Sequence, residues 1–194
     1  MQERYYEGEI IRDKKYQGET IEQCRFTDCD FENCVFEECK IVSCTFVNCR
    51  FYNCAVISLR ATYSEVKNTK FKTCNLIGVH WDQLRPQGRY GASIDRLENC
   101  CIKYNTFLEM SFVKFDFSGN VIQECLFEKC NLSESNFRDC SLEASQIYGC
   151  DLRKADFRGA RGYVIDIASN KLKQAKFSYP DVLSLLDSLE IKID

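Results

Sequence analysis

The sequence predicts an all-β solenoid, a chain wound into repeated turns, and the main observation behind this is a period of five residues. Cysteine recurs at every fifth position from Cys24 to Cys54. Two positions later a large apolar residue recurs at the same interval, beginning with Phe26 and Phe31. A helix repeats its apolar face about every 3.6 residues and a flat strand every second residue, so neither explains this period. Repeats that bury their apolar side against neighbouring repeats form solenoids.

The five-residue pattern forms two arrays with different phases. In the first array the large residues run from Ile21 to Trp81, and in the second from Leu97 to Phe157. The step from Trp81 to Leu97 is sixteen residues, which is three periods plus one. We therefore expect a loop near residues 82–95 that interrupts the solenoid. The phase of the second array is expected to continue to Ile167, Leu172 and Phe177.

A small residue precedes most of the large ones by two positions. From Cys24 to Cys54 it is always cysteine, whereas in the second array serine and alanine also occupy it, as Ser135 and Ala155 do. This exchange indicates that the cysteines pack as small side chains with weak hydrogen-bonding ability. Zinc sites use closely spaced cysteine pairs, which this spacing does not provide. We expect no metal site and no cofactor, and we expect Cys101, outside this position, to be the surface thiol. A thiol-based metal or redox store is the alternative.

Charge and motif content exclude several classes of function. The formal net charge of −3 is too small for a strongly basic nucleic-acid-binding protein, so we expect no direct nucleic-acid binding. We find neither an apolar run of the roughly 18 residues that a membrane span needs nor a signal-like start, which predicts a cytoplasmic protein. Phosphate-binding loops, nucleophile elbows and zinc-protease motifs are also missing from the sequence. The single histidine, His80, is expected to pack rather than to catalyse, and we predict that the chain is not an enzyme.

Residues 179–194 are predicted to form a short helix after a repeat domain at residues 1–178. Ser178 is placed to cap this helix, and Pro180 lies in its first turn, where a missing N–H costs nothing. The expected apolar face consists of four residues at helical spacing, Val182, Leu185, Leu186 and Leu189, and Ile191 and Ile193 are expected to add a short strand to a dimer interface. This face is expected either to cover the last turn or, as we favour, to form a homodimer interface.

The pentapeptides themselves resemble a known family. Residues 24–28 read Cys-Arg-Phe-Thr-Asp, residues 130–134 read Cys-Asn-Leu-Ser-Glu, and residues 155–159 read Ala-Asp-Phe-Arg-Gly. These are similar to the A(D/N)LXX unit of pentapeptide-repeat proteins, and the resemblance extends from about Ile21 to Phe177. It implies a right-handed quadrilateral β-helix with four pentapeptides per turn, one protruding loop and a short C-terminal helix.

Three features are similar to the topoisomerase-protecting members of that family, the albicidin-immunity, microcin B17-immunity and quinolone-resistance proteins. They are the single interruption after Trp81, the irregular end of the repeat at residues 163–170, and the closing segment 178–194. The resemblance implies that the chain binds DNA gyrase or another type II topoisomerase and protects it from an antibiotic or toxin. A generic protein-binding scaffold without a topoisomerase role is the alternative.

The resemblance also implies which residues contact the partner. In related proteins such loops touch the protected enzyme, so Arg85, Arg89, Tyr90 and Trp81 are the expected contacts, with a tolerated insertion as the other interpretation of the loop. Partial DNA mimicry would need an acidic surface, although basic residues are interleaved with the available carboxylates. The acidic candidates are Asp30, Glu32, Glu37, Glu38, Glu124, Glu128, Glu134, Asp139, Glu143, Asp151 and Asp156.

Overall fold

Four consecutive pentapeptides make one turn of a parallel β-solenoid in the computed structural model. Strands pair with those twenty residues later, as Phe31 does with Phe51 and Phe36 with Val56. The structure describes residues 2–84 and 93–189. The chain divides into two compact units, Met1–Asn105 and Thr106–Asp194, and each is a solenoid of this kind. The predicted all-β solenoid is therefore confirmed.

Most strands of the first unit have three residues, because each five-residue side must also contain a turn. A 3-10 helix, Trp81–Leu84, follows strand β14. The strands are β1 (Gln2–Glu7), β2 (Ile10–Arg12), β3 (Lys15–Gln17), β4 (Thr20–Thr27), β5 (Asp30–Glu32), β6 (Val35–Glu37), β7 (Lys40–Val42), β8 (Thr45–Val47), β9 (Arg50–Tyr52), β10 (Ala55–Ile57), β11 (Arg60–Thr62), β12 (Glu65–Lys67), β13 (Thr69–Lys72), β14 (Asn75–Ile77), β15 (Ile94–Glu98) and β16 (Cys101–Lys103).

The second unit has fewer named strands, because two of its faces are built from tight turns joined by single bridges. Its strands are β17 (Thr106–Leu108), β18 (Val121–Gln123), β19 (Leu126–Glu128), β20 (Ser141–Tyr148), β21 (Asp156–Phe157), β22 (Arg161–Ile165) and β23 (Lys176–Phe177). A second 3-10 helix, Asp181–Leu189, follows. Among the described residues, no helix is long and apolar enough to cross a membrane.

Stacked turns give each unit four faces, which we name after a central residue of one pentapeptide. In the first unit these are the Phe26, Phe31, Phe36 and Ile41 faces, and in the second unit the Phe107, Phe112, Phe117 and Ile122 faces. Strands β2, β5, β9, β13 and β15 form the Phe31 face, and β3, β6, β10, β14 and β16 form the Phe36 face. Strand β4 runs along both other faces of the first unit, which β1, β7, β8, β11 and β12 complete.

Columns of stacked rings fill the core, because residues twenty apart lie directly above one another. In the first unit the ring of Phe51 stacks between those of Phe31 and Phe71, with centroids 4.5 Å and 5.0 Å away. In the second unit Phe137 stacks between Phe117 and Phe157, at 4.5 Å and 4.7 Å. The large position of the predicted period is therefore the core position of the solenoid.

The small position of the period lies inside as well, and its side chains hydrogen-bond to the main chain. The N–H of Cys24 donates to Sγ of Cys44 at 3.4 Å, and the N–H of Cys44 donates to Oγ of Ser64 at 3.0 Å. The Cys44 thiol in turn donates to the carbonyl of Ile21 at 3.3 Å. Cysteine and serine exchange here because each is small and both donates and accepts hydrogen bonds.

Thiol reactivity tests this packing. Thirteen of the fourteen cysteines are buried, whereas Cys101 is partly exposed. Burial also raises the pKa of Cys49 and of Cys140 to about 12, so neither forms the reactive thiolate at neutral pH. We expect an alkylating reagent to modify Cys101 rapidly in the folded protein and the other thirteen only after denaturation, measured by intact-mass spectrometry. Rapid modification of several cysteines in the folded state would contradict the packing and favour an accessible thiol store.

Turns at the corners explain why Asn or Asp often stands two positions after a large residue. These corner residues have a positive φ, for example 54° at Asp28, Asn33 and Asn48, and Asn and Asp adopt that conformation more readily than most residues. Their amides also form ladders, since Nδ2 of Asn53 donates to Oδ1 of Asn33 at 2.9 Å. The corners are thus stabilised from one turn to the next.

The (D/N) of the A(D/N)LXX unit has a structural role in the second unit. Oδ1 of Asn136 accepts a hydrogen bond from the N–H of Arg138 at 3.1 Å, and Oδ1 of Asp151 accepts one from the N–H of Arg153 at 3.2 Å. Such side-chain bonds to the main chain two residues on hold the tight turns of the Phe112 and Phe117 faces.

One turn of the first unit exchanges its large and small residues. On the Ile41 face, Ala61 occupies the large position and pairs with Ile41, while Leu59 takes the position that Cys39 has one turn earlier. Leu59 is buried, and a small apolar cavity of about 40 Å³ remains beside it, lined by residues that include Ile41, Val79 and Trp81. The two substitutions partly compensate in volume, so that only this small cavity is left.

A double-mutant cycle tests this compensation. We expect Leu59→Cys alone to destabilise the chain by about 2–3 kcal/mol, because it enlarges the cavity, and Ala61→Ile alone by about 1–3 kcal/mol, because it overfills the turn. The double variant restores the usual pattern and is expected to cost less than the sum of the two changes. Denaturant unfolding measures all three free energies, and strictly additive costs would contradict the exchange.

The phase break between the two arrays has a simple structural cause. Across it, Leu76 pairs with Ile102, twenty-six residues later instead of twenty. Part of this excess is a β-bulge, because Thr69 pairs with Ile94 but Lys70 pairs with Arg96. Asp95 is therefore the extra residue, and the remaining five correspond to one period. The bulge accounts for the odd residue in the sixteen-residue step.

The end of the repeat differs from the sequence expectation at Ile167. Ile165 is buried and pairs with Ile147, whereas Ile167 is only partly buried. The pairing offset falls from twenty residues at Arg161 to eighteen at Ile165. A turn at residues 166–170 restores the offset of twenty by Lys171, which pairs with Asp151. The expectation for Ile167 was wrong because the pairing offset first falls by two residues and then rises by two. The five-residue phase before and after this segment is therefore the same, and it does not reveal the change.

Candidate partner-binding surfaces

The base of the loop is fixed in the core of the first unit. Trp81 is 2% exposed, its Nε1 donates to Oδ1 of Asn105 at 2.9 Å, and its ring packs edge-on against Phe71 at 5.5 Å. Leu84 and Ile94 are also buried. Trp81 was expected to contact a partner, and this is corrected: its inward position makes it an anchor of the loop. Arg85, Arg89 and Tyr90 lie outside the described residues.

Asn105 holds the side chain of Trp81 in place by accepting the hydrogen bond from its indole N–H. It occupies a small position of the period and is 1% exposed. Its Nδ2 donates to the carbonyls of Leu76 and Lys103, both at 2.7 Å. All of these bonds lie within the first unit, and they hold Oδ1 in place for Trp81. An asparagine in the core is tolerated because its amide is hydrogen-bonded at both ends.

Charged and amide groups lie beside the chain that leaves the loop. Asp95, the bulged residue, pairs through Oδ2 with Nζ of Lys70 at 3.4 Å. These two residues line a shallow surface groove together with Asp28, Asn48, Arg50 and Asn68. His80, expected to pack, is instead exposed near the start of the loop. The base of the loop therefore presents a polar surface over a rigid apolar anchor.

The predicted acidic residues do not share one face. In the first unit, Asp30 and Glu32 lie on the Phe31 face, and Glu37 and Glu38 on the Phe36 face. In the second unit the rest are distributed over all four faces: Glu128 on the Phe107 face, Glu134 and Asp151 on the Phe112 face, Asp139 and Asp156 on the Phe117 face, and Glu124 and Glu143 on the Ile122 face. The structure therefore does not bring them together into one acidic surface.

Within the part of the chain that the structure describes, six of these eleven carboxylates form ion pairs with neighbouring cations. Arg153 binds Asp151 and Arg158 binds Asp156, both at 2.6 Å, and these guanidinium groups hold the pKa of each carboxyl below its usual value. The other pairs are Asp30 with Arg50, Glu32 with Arg12, Glu128 with Lys129, and Glu134 with Lys114. Paired carboxylates are a poor imitation of a phosphate backbone, whose charges all have one sign.

The C-terminal helix packs beside strand β22. Val182, Leu185 and Leu186 are partly buried, whereas Leu189 is 47% and Leu183 is 40% exposed. Ile191 and Ile193 lie outside the described residues. The helix begins at Asp181, and Oγ of Ser178 does not cap it but accepts a hydrogen bond from the N–H of Gly159 at 3.1 Å. The helix therefore covers part of the second unit and still exposes leucine side chains.

Within residues 2–84 and 93–189, no group of three or more His, Cys, Asp or Glu side chains is arranged to hold a metal ion. The cavity near Leu59 has an entirely apolar lining. What the surface offers is a set of flat β faces, a loop with a fixed base and a partly covered helix.

Comparison with protein families gives a match to the repeat itself. The model for pentapeptide repeats matches residues 21–54 and 122–160, with eight copies. These two segments therefore carry pentapeptide repeats. The matched segments lie in the two arrays that the five-residue period predicts, and they leave out the loop and the C-terminal helix. No curated protein sequence matches the chain at a significant level.

Solved structures similar to this pentapeptide-repeat chain include QnrB1, described as a plasmid-mediated fluoroquinolone resistance protein. A trypsin-treated form is 19% identical, with a TM-score of 0.49, and the match covers 100% of this chain and 99% of that one. HetL, a pentapeptide-repeat protein involved in heterocyst differentiation regulation in the cyanobacterium Nostoc, is 13% identical, with a TM-score of 0.34, over 91% and 84% of the two chains. Likenesses of this size carry no conclusion about partners.

Sequence reasoning missed the residues that build the loop base of this pentapeptide-repeat chain. Asn105 stands at a small position where most repeats have cysteine, serine or alanine, and that exception was the available signal. The step from Trp81 to Leu97 shows that one residue is extra, but the sequence does not show that this residue is Asp95. Trp81 was correctly placed in the inward phase, and only its assignment as a partner contact differs from the structure.

Proposed function

We propose that this chain is a binding protein for a bacterial type II topoisomerase, chiefly DNA gyrase, and that it protects the enzyme from a poison such as albicidin, microcin B17 or a quinolone. The proposal starts from the sequence resemblance to the topoisomerase-protecting pentapeptide-repeat proteins. The observation that carries it is the loop after Leu84, whose base is anchored by Trp81 and Asn105. An insertion held by a buried tryptophan is built as part of the fold, unlike a tolerated extension.

A rigid scaffold that presents one loop suits a protein that acts by contact. Binding residues are commonly placed on loops held by a rigid framework, because little ordering entropy is then lost on binding. The stacked core of the first unit supplies the framework, and Arg85, Arg89 and Tyr90 are the proposed contacts. Arginine and tyrosine are among the residues that dominate binding energies at interfaces. In this proposal the chain acts without catalysis.

The charge distribution favours action through the loop over imitation of duplex DNA. The acidic residues lie on several faces of each unit, and six of them are paired with cations. Under the proposal, displacement of the poison or a change in the gyrase–DNA complex follows from loop contact. The acidic residues contribute mainly solubility and the stability of neighbouring turns.

A second candidate, a general protein-binding scaffold, is favoured by one surface. On the Phe36 face, Val35, Ala55, Ile57 and Ile77 point outward and are partly exposed, which forms an uncharged strip across three turns. Flat apolar strips of this kind suit contact with another protein. This candidate predicts no effect on any topoisomerase.

A supercoiling assay separates the two candidates. Purified chain is titrated into gyrase with and without albicidin, microcin B17 or a fluoroquinolone. We expect supercoiling to be restored with one of these poisons, and the triple variant Arg85→Ala, Arg89→Ala, Tyr90→Ala to lose that effect. The matched control, Arg25→Ala, Arg60→Ala, Tyr63→Ala, removes the same residue types from exposed strands and corners of the first unit and is expected to protect normally. Neither rescue nor inhibition at any concentration would reject the topoisomerase proposal.

The proposed homodimer uses the C-terminal helix. Leu183 and Leu189 expose apolar surface beside the partly buried Val182, Leu185 and Leu186. Sedimentation velocity of the wild type is expected to give the mass of a dimer. Because Leu183 and Leu189 are exposed, replacing both with aspartate should preserve the fold and give the monomer mass. A wild type that sediments as a monomer would reject this interface.

A further inference from the structure

The first turn differs from the next turn at the small position of the period. On its four sides that position is occupied by long charged residues, Arg4, Glu9, Lys14 and Glu19. One turn later the same columns hold Cys24, Cys29, Cys34 and Cys39, all of which are buried. The four charged residues are all exposed. Their signs alternate around the turn, so that the ring as a whole has no net charge.

Main-chain bonds show that this turn is a regular part of the solenoid. Arg4 pairs with Cys24 in strands β1 and β4. The carbonyls of Glu9, Lys14 and Glu19 accept hydrogen bonds from the N–H groups of the next turn at 2.8–2.9 Å, as the carbonyl of Cys29 does one turn later. The charged side chains therefore occupy inward positions of the period, and they are exposed at the edge of the described solenoid, where β2 and β3 are the terminal strands of their sheets.

The large position of the first turn also differs from the large position of the turns that follow. Two of its four residues are tyrosines, Tyr6 and Tyr16, and both are only partly buried. They stack on Phe26 and Phe36 at 4.7 Å and 5.1 Å, so the rings belong to the core columns. In later turns of the first unit the aromatic residues of these two columns are all phenylalanine. A hydroxyl at the end of a column needs water or a polar partner, which a further apolar turn would remove.

We propose that the first turn, residues 4–19, closes the N-terminal end of the solenoid to stacking by a second copy of the chain. A solenoid end needs such protection, because its strand edges are unpaired and its turns have the same shape in every copy. A stacking copy would bury four charges at once. Burial of charges without well-placed partners is strongly unfavourable, so the end remains in solution.

In this proposal the charges at four exposed positions prevent stacking. They can be replaced without changing any core residue. The variant Arg4→Ser, Glu9→Ser, Lys14→Ser, Glu19→Ser gives the first turn the serine that later turns use at Ser64, Ser135 and Ser145. Sedimentation velocity over a wide concentration range is expected to show that the weight-average mass of this variant rises at least twofold above that of the wild type and falls again on dilution. Comparison with the wild type makes the result independent of the proposed C-terminal dimer.

A matched control keeps the charges and reverses their signs: Arg4→Glu, Glu9→Lys, Lys14→Glu, Glu19→Lys. This control is expected to sediment as the wild type does. Circular dichroism establishes that both variants are folded. If the serine variant does not fold, two double variants, Arg4→Ser with Glu9→Ser and Lys14→Ser with Glu19→Ser, replace it in the same comparison. A folded serine variant with the wild-type mass at every concentration would overturn the proposal, as would equal self-association of the sign-reversed control.

Discussion

Replacement of Phe137 by alanine is expected to lower the free energy of unfolding by about 3–5 kcal/mol, the usual cost of removing a fully buried phenylalanine. Phe137 is 0% exposed and stacks at 4.5 Å on Phe117 and at 4.7 Å on Phe157. In a solenoid each turn is stabilised mainly by its neighbours, so a cavity here weakens two contacts between turns. Denaturant unfolding followed by circular dichroism measures the change.

The adjacent residue gives the control for this prediction. Arg138 is exposed, and the bond to Oδ1 of Asn136 comes from its main-chain N–H. We therefore expect Arg138→Ala to change the stability by no more than about 0.5 kcal/mol, as is usual at exposed sites. Equal losses for the two variants would mean that the phenylalanine column isn't the core of the second unit.

Replacement of Cys49 by glutamate is expected to be more damaging still, with a loss of more than about 4 kcal/mol, enough to unfold a marginally stable chain. Cys49 is 0% exposed, and its thiol donates to the carbonyls of Phe26 and Val47, both at 3.5 Å. A carboxylate in that place loses its hydration without gaining a cation. Thermal and denaturant unfolding measure the loss.

The pH dependence identifies the cause of that loss. Burial raises the pKa of the introduced carboxyl above its unfolded value of about 4.3. The folded state therefore favours the protonated form, and its stability falls as the pH rises from about 4.3 to the raised pKa of the folded state. The Cys49→Glu variant should accordingly be more stable near pH 4 than at pH 7, relative to the wild type at each pH. A penalty that does not change with pH would indicate steric overfilling instead.

Two further variants test whether the loss of stability depends on the position in the solenoid or on the residue type. Cys49→Ser is expected to cost little, because serine occupies the same position at Ser64 and Ser145 and hydrogen-bonds there. Glu9→Cys, in the same column but in the first turn, is expected to change the stability by less than about 0.5 kcal/mol, because Glu9 is exposed. A large loss for Glu9→Cys would contradict the assignment of the first turn as an end.

The five-residue period was sufficient to predict the solenoid and its inward residues, because each period corresponds to one side of a turn. The same period predicted that Trp81 points inward, and the structure buries it. The assignment of Trp81 to partner contact came from the family resemblance, which describes a loop but not the burial of each side chain. Where the two differed, the physical pattern was the better guide.

Other features depend on compensations that a periodic pattern does not reveal. At Leu59 and Ala61 a larger side chain at one position offsets a smaller one at the other. At the end of the repeat the inward residue is Ile165 and not Ile167, and the pairing offset returns to twenty within the next turn. The bulge at Asp95 fixes the register only through its partners Thr69 and Lys70. The charged residues of the first turn were readable from the period, since they stand in its small position, and their meaning depends on the exposure that the structure shows.

Backbone NOEs in an NMR spectrum test the central claim, a turn of twenty residues that lengthens to twenty-six across the loop. We predict contacts between strands at Phe31 and Phe51, and contacts between Leu76 and Ile102 on the far side of the interruption. Both sets belong to the first unit, and each is assigned independently of the other. Contacts at any other regular offset, or an offset of twenty for Leu76, would contradict the four-sided turn and the bulge that corrects its phase.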